Sequence, residues 1–281
     1  MNTKAQSAVL AGMKNFMENK SDEESRVQQT FSTDEILYRV LPLKYFFDMV
    51  KNKKLYFVDV ALWEDTHECL GDNSKIKVDS DEIADAPQFK GSIYGSCWTK
   101  DEENDAMWRI YSPNKDGIRI GVKGERMVEI LKRQYNKMHS DVAHEDYDAM
   151  YPIVCTKDVR YHTEKELDTI RRSLHLEDIF ENHYYAVELL SHKRTYFAHE
   201  KETRCLVYCD KENFTELGGK LLPLNFDALR DIDSITFDPR LPDSEYETLK
   251  WLLCEKLGFS SNAVQKSRMY EKPKNIVYPV N

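Results

Sequence analysis

Short β-rich apolar runs alternate with helical faces along almost the whole chain, and few fold classes accommodate that rhythm. Residues 36–41 (ILYRVL) read as a strand. Tyr45, Phe46, Met49 and Val50 then mark the apolar face of a helix over 44–53, closed by Asn52. A strand follows over 55–60 (LYFVDV). Further strands are expected over 92–99 (SIYGSCWT), 117–122 (GIRIGV), 154–161, 203–209 (TRCLVYC) and 234–237. Helices are expected over 105–111, 124–138, 163–174, 177–198 and 244–257. Several strands are short and hairpin-like. The class that follows is α+β, a single domain with a mixed, mostly antiparallel central sheet flanked by helices. Its expected span is 35–281, with 1–34 as a helical or polar extension and 71–90 (GDNSKIKVDSDEIADAPQFK) as an exposed insertion.

Composition narrows the function classes. Ten glycines in 281 residues disfavour a Gly-rich all-β protein or a large dinucleotide-binding domain, and neither a P-loop nor a G-x-G-x-x-G is present. Forty basic against 49 acidic residues give a net charge of −9, which argues against a surface that coats nucleic acid broadly. No stretch approaches the roughly 18 to 20 apolar residues of a membrane span, so no membrane partner is expected. The N-terminus makes a poor signal peptide and a fair short amphipathic helix. Six cysteines form no C-x-x-C pair and no zinc-like quartet, and four of them lie in apolar strand-like runs. A reduced, cytoplasmic location and no bound metal are the expectations.

Four places could carry chemistry. Glu200 and Glu202, separated by Lys201 and followed by Arg204, precede a strand, and period-two alternation would set both carboxylates on one face. Such a pair can divide labour between stabilising a cation and orienting a nucleophile, although E-x-E is commonplace in a chain with 32% charged residues. Arg39, beside Tyr38 in an apolar strand, needs a partner. A structural ion pair is the favoured reading, and a fork for phosphate or carboxylate is the other. Asp65 and Glu68 follow a strand and could cap the next helix, bind a metal or pair with Arg39, with capping favoured. Met107, Trp108 and Tyr111 form an aromatic stripe that reads as core before it reads as a stacking platform. His199 has no serine or cysteine pattern around it, so a hydrolase triad has no support.

In order, these pieces resemble the bacterial domain-of-unknown-function family 2971. That family has a tyrosine-arginine strand, an N-x-x-L-x-F segment and an F-N-D-P-x-E turn, matched here by Asn52, Leu55, Phe57, Asp65 and Glu68. The turn's Asn and Pro are replaced by Glu64 and Thr66. Cys97, Met107, Trp108, Tyr111 and Gly117 match the central block, with conservative changes at Trp98, Thr99 and Val122. Lys193, Glu200, Glu202 and Arg204 match a K…E-x-E-x-R block, and the likeness runs from about residue 35 to 270. An arginine on the first strand, Ser96 on a central strand and the late E-x-E are also similar to the R-S-E arrangement of ADP-ribosyltransferases.

That second resemblance implies roles. Arg39 would hold the phosphates of NAD and Ser96 would support the nicotinamide-ribose site, with Arg204 nearby. Glu202 would stabilise an oxocarbenium-like transition state, Glu200 would position the acceptor, and Tyr38 or Trp108 would stack on nicotinamide. The implied partner is a small-molecule nucleotide, with the acceptor, protein or nucleic acid, left open. A stress or phage-defence role comes from the family resemblance alone. Two other readings stand beside this one. A non-catalytic sensor or partner-binding module would pair Glu200, Glu202, Arg39 and Arg204 in a buried network. A Mg-dependent nuclease or phosphohydrolase would gather Asp65, Glu68, Glu200, Glu202 and Lys193 around the ion.

Overall fold

In the computed structural model, which describes residues 27–65, 67–68, 75–77, 83–85, 92–140, 153–172, 183–209 and 215–272, the apolar runs assemble into a ten-stranded open sheet. Its main path runs β1 (Val27–Gln28), β8 (Ile153–Asp158), β11 (Glu202–Tyr208), β6 (Ile93–Thr99), β2 (Ile36–Pro42), β7 (Gly117–Lys123), β13 (Ser234–Phe237) and β14 (Val264–Lys266). A hairpin-like pair of β3 (Lys54–Asp59) and β12 (Leu221–Asn225) joins through β3 to the start of β6. All pairings are antiparallel except β1 with β8 and β13 with β14. Two small sheets lie apart: β4 (Lys75–Lys77) with β5 (Ile83–Asp85), antiparallel, and β9 (Arg160–His162) with β10 (His192–Arg194), parallel.

Both faces of the central strands are covered, which is why β11 is buried at every position and apolar from Cys205 to Tyr208. One face carries Leu37, Ile120, Trp98 and Cys205 into the larger core. There α1 (Leu43–Asn52) adds Phe46 and Met49, and α3 (Gly124–Ser140) adds Met127, Ile130 and Leu131. Side chains of that size stabilise by about 1.5–3 kcal/mol each when fully buried. The other face carries Ile93, Leu206 and Tyr208 against Ala186 and Val187 of α5 (His183–Leu189). The remaining helices are α2 (Asp105–Tyr111), α4 (Glu164–Arg172), α6 (Ala228–Asp231) and α7 (Asp243–Trp251), the last continuing as a π-helical turn over Leu252–Lys256. No helix among the described residues is long and apolar enough to cross a membrane.

One edge of β6 is divided between two neighbours, and this positions the candidate site. At its start Tyr94 and Gly95 pair with β3, and at its end Thr99 makes a single bridge to Tyr38 of β2. Ser96, Cys97 and Trp98 pair with neither strand, so the sheet forks there.

The expected elements hold in outline and differ in particulars. The α1 helix covers Leu43–Asn52, one residue earlier at each end than expected, and Lys53, not Asn52, takes the left-handed position beyond it (φ 53°) and returns its N–H to Met49. The segment expected as one helix over 177–198 is helical only through Leu189 where described. Ser191 accepts the Arg160 N–H, the β9 edge captures His192–Arg194, and a 3₁₀ turn follows over Thr195–Glu200. The polar stretch 17–34 supplies Val27 and Phe31 to the core. Most of the 71–90 insertion lies outside the described residues, as do residues 1–26.

Candidate functional site

The E-x-E glutamates meet on one lysine. Glu200 ends the 3₁₀ turn, Lys201 follows in the left-handed region (φ 43°), and Glu202 opens β11. The two carboxylates therefore come together through a left-handed residue and not through the strand alternation the sequence suggested. The Lys193 Nζ, presented by β10, donates to Glu200 Oε2 at 2.5 Å and to Glu202 Oε1 at 3.0 Å, and pairs with Glu68 Oε1 at 3.0 Å. Arg204, fully buried, donates from Nε to Glu202 Oε2 at 2.7 Å and from Nη1 to the Leu190 carbonyl at 2.6 Å. Its Nη2 pairs with Glu68 at 3.0 Å, and the indole of Trp63 covers the guanidinium at 4.5 Å. Tyr111 donates its hydroxyl to Glu200 Oε1 at 3.1 Å, and the Glu202 N–H donates to the Tyr161 hydroxyl at 2.8 Å.

Three carboxylates thus face two cations, and the surplus acid resolves by splitting the pair. Burial raises Glu200, the neighbouring Glu202 charge raises it further, and its carboxyl settles at about 7 despite Lys193. Burial acts on Glu202 in the same direction, but Arg204 and Lys193 overcome it and hold Glu202 at about 2. At neutral pH one carboxylate is a fixed anion and its neighbour sits near half-protonation, the division that acid–base chemistry requires. Burial opposes the Lys193 ammonium, yet Glu202, Glu68 and Glu200 together lift it above its ordinary value.

Arg39 lies in the fork and has none of this company. Its Nη1 donates to Ser96 Oγ at 2.8 Å, the Trp98 indole N–H donates to the same oxygen at 3.0 Å, and the guanidinium stands 6.0 Å from the Trp98 ring. It forms no ion pair with a carboxylate among the described residues. Burial pulls the guanidinium below its ordinary pKa, only partly offset by Cys97, Tyr111 and Cys205. Among the described residues, then, Arg39 is held by a hydroxyl and not by the structural ion pair that was the favoured expectation. Register separates it from the carboxylates: Ser96 sits opposite Cys205 while Glu202 sits opposite Thr99, so Ser96 and Glu202 project from opposite faces. Arg39, Ser96 and Glu202 do not converge on one point. Cys97 and Tyr111 connect the stations, since each interacts electrostatically with Arg39 and with Glu202.

Other expected residues fall as follows. Trp108 is 1% exposed with its indole N–H on Glu103, so it is a core residue and offers no stacking face. Tyr38 is partly exposed, with Arg119 stacked 4.7 Å from its ring. Asp65 accepts the His67 N–H and pairs with Arg194 at 2.8 Å, while Glu68 joins the Lys193 cluster. Neither caps a described helix and neither meets Arg39. Arg204 touches carboxylates and a carbonyl on all sides, which makes it a support for Glu202 and not a ligand contact. The Lys193 ammonium takes the centre that the metal-enzyme reading reserved for Mg²⁺, and no group of His, Cys, Asp and Glu among the described residues could hold a metal. Trp63 and Tyr161 were not singled out from sequence. The signal for Trp63 was Gly95 within β6: a Cβ there would lie 2.5 Å from the Trp63 ring, so the glycine marks a close approach.

A model of the family described as "Protein of unknown function (DUF2971)" matches residues 107–205. Among solved structures, DarT of Thermus sp. 2.9 in complex with NAD+ is similar at 12% identity and a TM-score of 0.34, covering 85% of this chain and 98% of that one. The same protein in complex with ADP-ribosylated ssDNA is similar at 9% identity and a TM-score of 0.35, covering 86% and 98%. No curated protein matches the sequence.

Proposed function

We propose that the chain cleaves the nicotinamide glycosidic bond of NAD and passes the ADP-ribosyl group to an acceptor. The observation that carries this reading is Arg39, a guanidinium in the sheet fork that, among the described residues, has a hydroxyl partner and no carboxylate. Burying an unpaired charge costs several kcal/mol, and a diphosphate supplies the missing counter-ion in the geometry a guanidinium fork prefers. Arg39 and Glu202 project from opposite faces of the sheet, so a dinucleotide that reaches both passes through the fork where Ser96, Cys97 and Trp98 pair with neither β2 nor β3.

The chemistry then follows from the carboxylate pair. The bond from ribose C1′ to the pyridinium nitrogen breaks, its electrons leave with neutral nicotinamide, and positive charge develops on the ribosyl ring. Glu202, held ionised by Arg204 and Lys193, is the preorganised anion for that charge. The acceptor's lone pair forms the new bond at C1′, and Glu200 in its ionised form takes the acceptor's proton. Tyr38 supplies an aromatic face beside the fork.

One observation favours the binding-module reading as a second. Both oxygens of Glu202 are already engaged, by Lys193 and by Arg204, as a purely structural network requires. Nicotinamide release from NAD by the purified protein, beside Glu202→Gln and Arg39→Ala, decides between them. The transferase reading expects release that Glu202→Gln abolishes and an NAD-dependent thermal shift that Arg39→Ala removes. Neither release nor a thermal shift in the wild type would leave the binding module standing.

A further inference from the structure

Among the described residues, Lys193 is the cation that touches both members of the E-x-E pair: Arg204 reaches Glu202 and Glu68 but not Glu200, and Tyr111 reaches Glu200 alone. We propose that Lys193 is a positioning residue that clamps Glu200 against Glu202 and holds down the pair's affinity for its shared proton, which Arg204, bound to Glu202 and not to Glu200, leaves on Glu200. This rests on the reading of the two glutamates as the reacting groups.

Three features of the fold support the assignment. First, the ammonium is held from behind. β10 pairs with β9 in the register Lys193 to Tyr161, and the Tyr161 hydroxyl accepts the Glu202 N–H, so the small sheet presents its ammonium and its phenol together to the start of β11. On the reverse side of β10, His192 is hydrogen-bonded to His162 at 2.9 Å and stacked on it, and Arg160 ties His192 to Glu188. Second, the ammonium is covered: the Phe197 ring lies 4.6 Å from Nζ. Third, the cations are distributed unequally. Glu202 has Lys193 and Arg204, whereas Glu200 has Lys193 and a neutral phenol, so a proton entering the pair finds lower cost on Glu200. The directions of the two carboxyl pKa values agree with that asymmetry. The groups facing this proton are Glu68, Glu202, Arg204, Lys193, Tyr111, Tyr161 and Cys97.

Without the ammonium, two buried carboxylates would face each other with Arg204 serving only one of them. Carboxyl ¹³C NMR on the full chain, as wild type, Lys193→Met and Lys193→Arg, reads the pair's upper titration without any substrate. The expected result is a rise of at least about one pH unit in Lys193→Met, a tenfold change in proton affinity, with Lys193→Arg close to wild type. A folded Lys193→Met protein with the wild-type midpoint overturns the clamp. If Lys193→Met does not fold, ¹⁵N-lysine labelling of the wild type answers instead: the Lys193 ammonium resonance must move with the Glu200 titration, and a signal that stays still overturns the proposal. Kinetics separate this inference from the reading beneath it. Nicotinamide release whose pH profile is unshifted in Lys193→Met sinks the clamp and spares the NAD reading. NMR behaviour as expected in a wild type that releases no nicotinamide upholds the clamp and sinks the NAD reading.

Discussion

Arg204 and Arg39 stand on the same sheet, two strands apart, and answer the problem of a charge in an apolar sheet in opposite ways. Arg204 has Glu202, Glu68, a backbone carbonyl and an indole around it, and its burial is outweighed so far that its pKa rises. Among the described residues Arg39 has a serine hydroxyl and no carboxylate, and its pKa falls. The first arrangement is what stability demands of a buried cation. The second is the arrangement on which the proposed anion site at Arg39 rests. Energetic cost therefore points to the fork, and the better-connected cluster is where the fold invests its bonds.

The largest expected effect tests the connected side. Arg204→Met strands Glu202 and Glu68 opposite Lys193 alone and should cost about 3–5 kcal/mol in denaturant unfolding. A loss under about 1 kcal/mol would mean that the network is looser than its distances imply and that the contrast with Arg39 has no energetic content.

Next in size is a pH effect that the cluster alone can produce. Glu200 titrates near 7 when folded against 4.5 for an ordinary glutamate, so the folded protein holds a proton that the unfolded chain has released. Stability from this group is full below pH 4.5, declines between 4.5 and 7, and is flat above. The decline should be on the order of 2 kcal/mol after solvent screening. Carboxyl and imidazole groups whose pKa is lowered on folding oppose it, and Glu202 and His192 are the two with the largest shifts. Glu202, depressed to about 2 by Arg204 and Lys193 against its burial, adds stability above 4.5 that is lost as pH falls toward 2. His192, pushed down to about 3 by burial and by Arg160, adds stability above 6.5 that is lost as pH falls toward 3. Unfolding measured across pH in Glu200→Gln should lose the declining limb and keep the other two. A Glu200→Gln curve parallel to wild type between 4.5 and 7 would refute the split of the pair.

Arg39→Met probes the other side, with a small effect on stability and a large one on binding. Ser96 keeps its bond from the Trp98 indole, and a lone cation leaves the fork, so unfolding should be unchanged or slightly more favourable to the native state. NAD-dependent stabilisation should disappear. A marked loss of stability in Arg39→Met would place Arg39 beside Arg204 as a structural residue and erase the difference between them.

Much of the sheet was legible because its strands are buried on both faces and read as apolar runs: 36–41, 92–99 and 203–209 each lie within a residue or two of the strand that forms. Of the site, the K…E-x-E-x-R residues were legible as a set, and their chemistry was not. Whether Arg39 has a counter-ion is decided by the fork in β6, which depends on how far β2 and β3 run along one edge. Local periodicity carries no trace of that. The 190–198 part of the expected 177–198 helix does not form as α-helix, because the edge of β9 captures His192–Arg194. Lys201 was invisible for a related reason, since nothing about a lysine between two glutamates announces a left-handed backbone.

That lysine gives the smallest effect and the sharpest test of how the pair is built. Lys201 lies at φ 43° and pairs with Asp101 at 2.8 Å on an exposed surface. Lys201→Gly removes an ion pair worth about 0–1 kcal/mol and relieves a left-handed strain of about 1–2 kcal/mol. Unfolding should therefore change by less than about 1 kcal/mol, with the Glu200 titration still near 7. Lys201→Val disfavours the left-handed conformation, since a β-branched residue is a steric outlier there. The turn that delivers Glu200 onto Lys193 would open, and the pair's titration would move even though neither glutamate nor the lysine clamp is altered. Carboxyl NMR on the two variants checks both outcomes. If Lys201→Val kept the wild-type titration, the contacts with Lys193 and Tyr111 would suffice to hold Glu200, and the left-handed turn would be a consequence of the cluster instead of its cause.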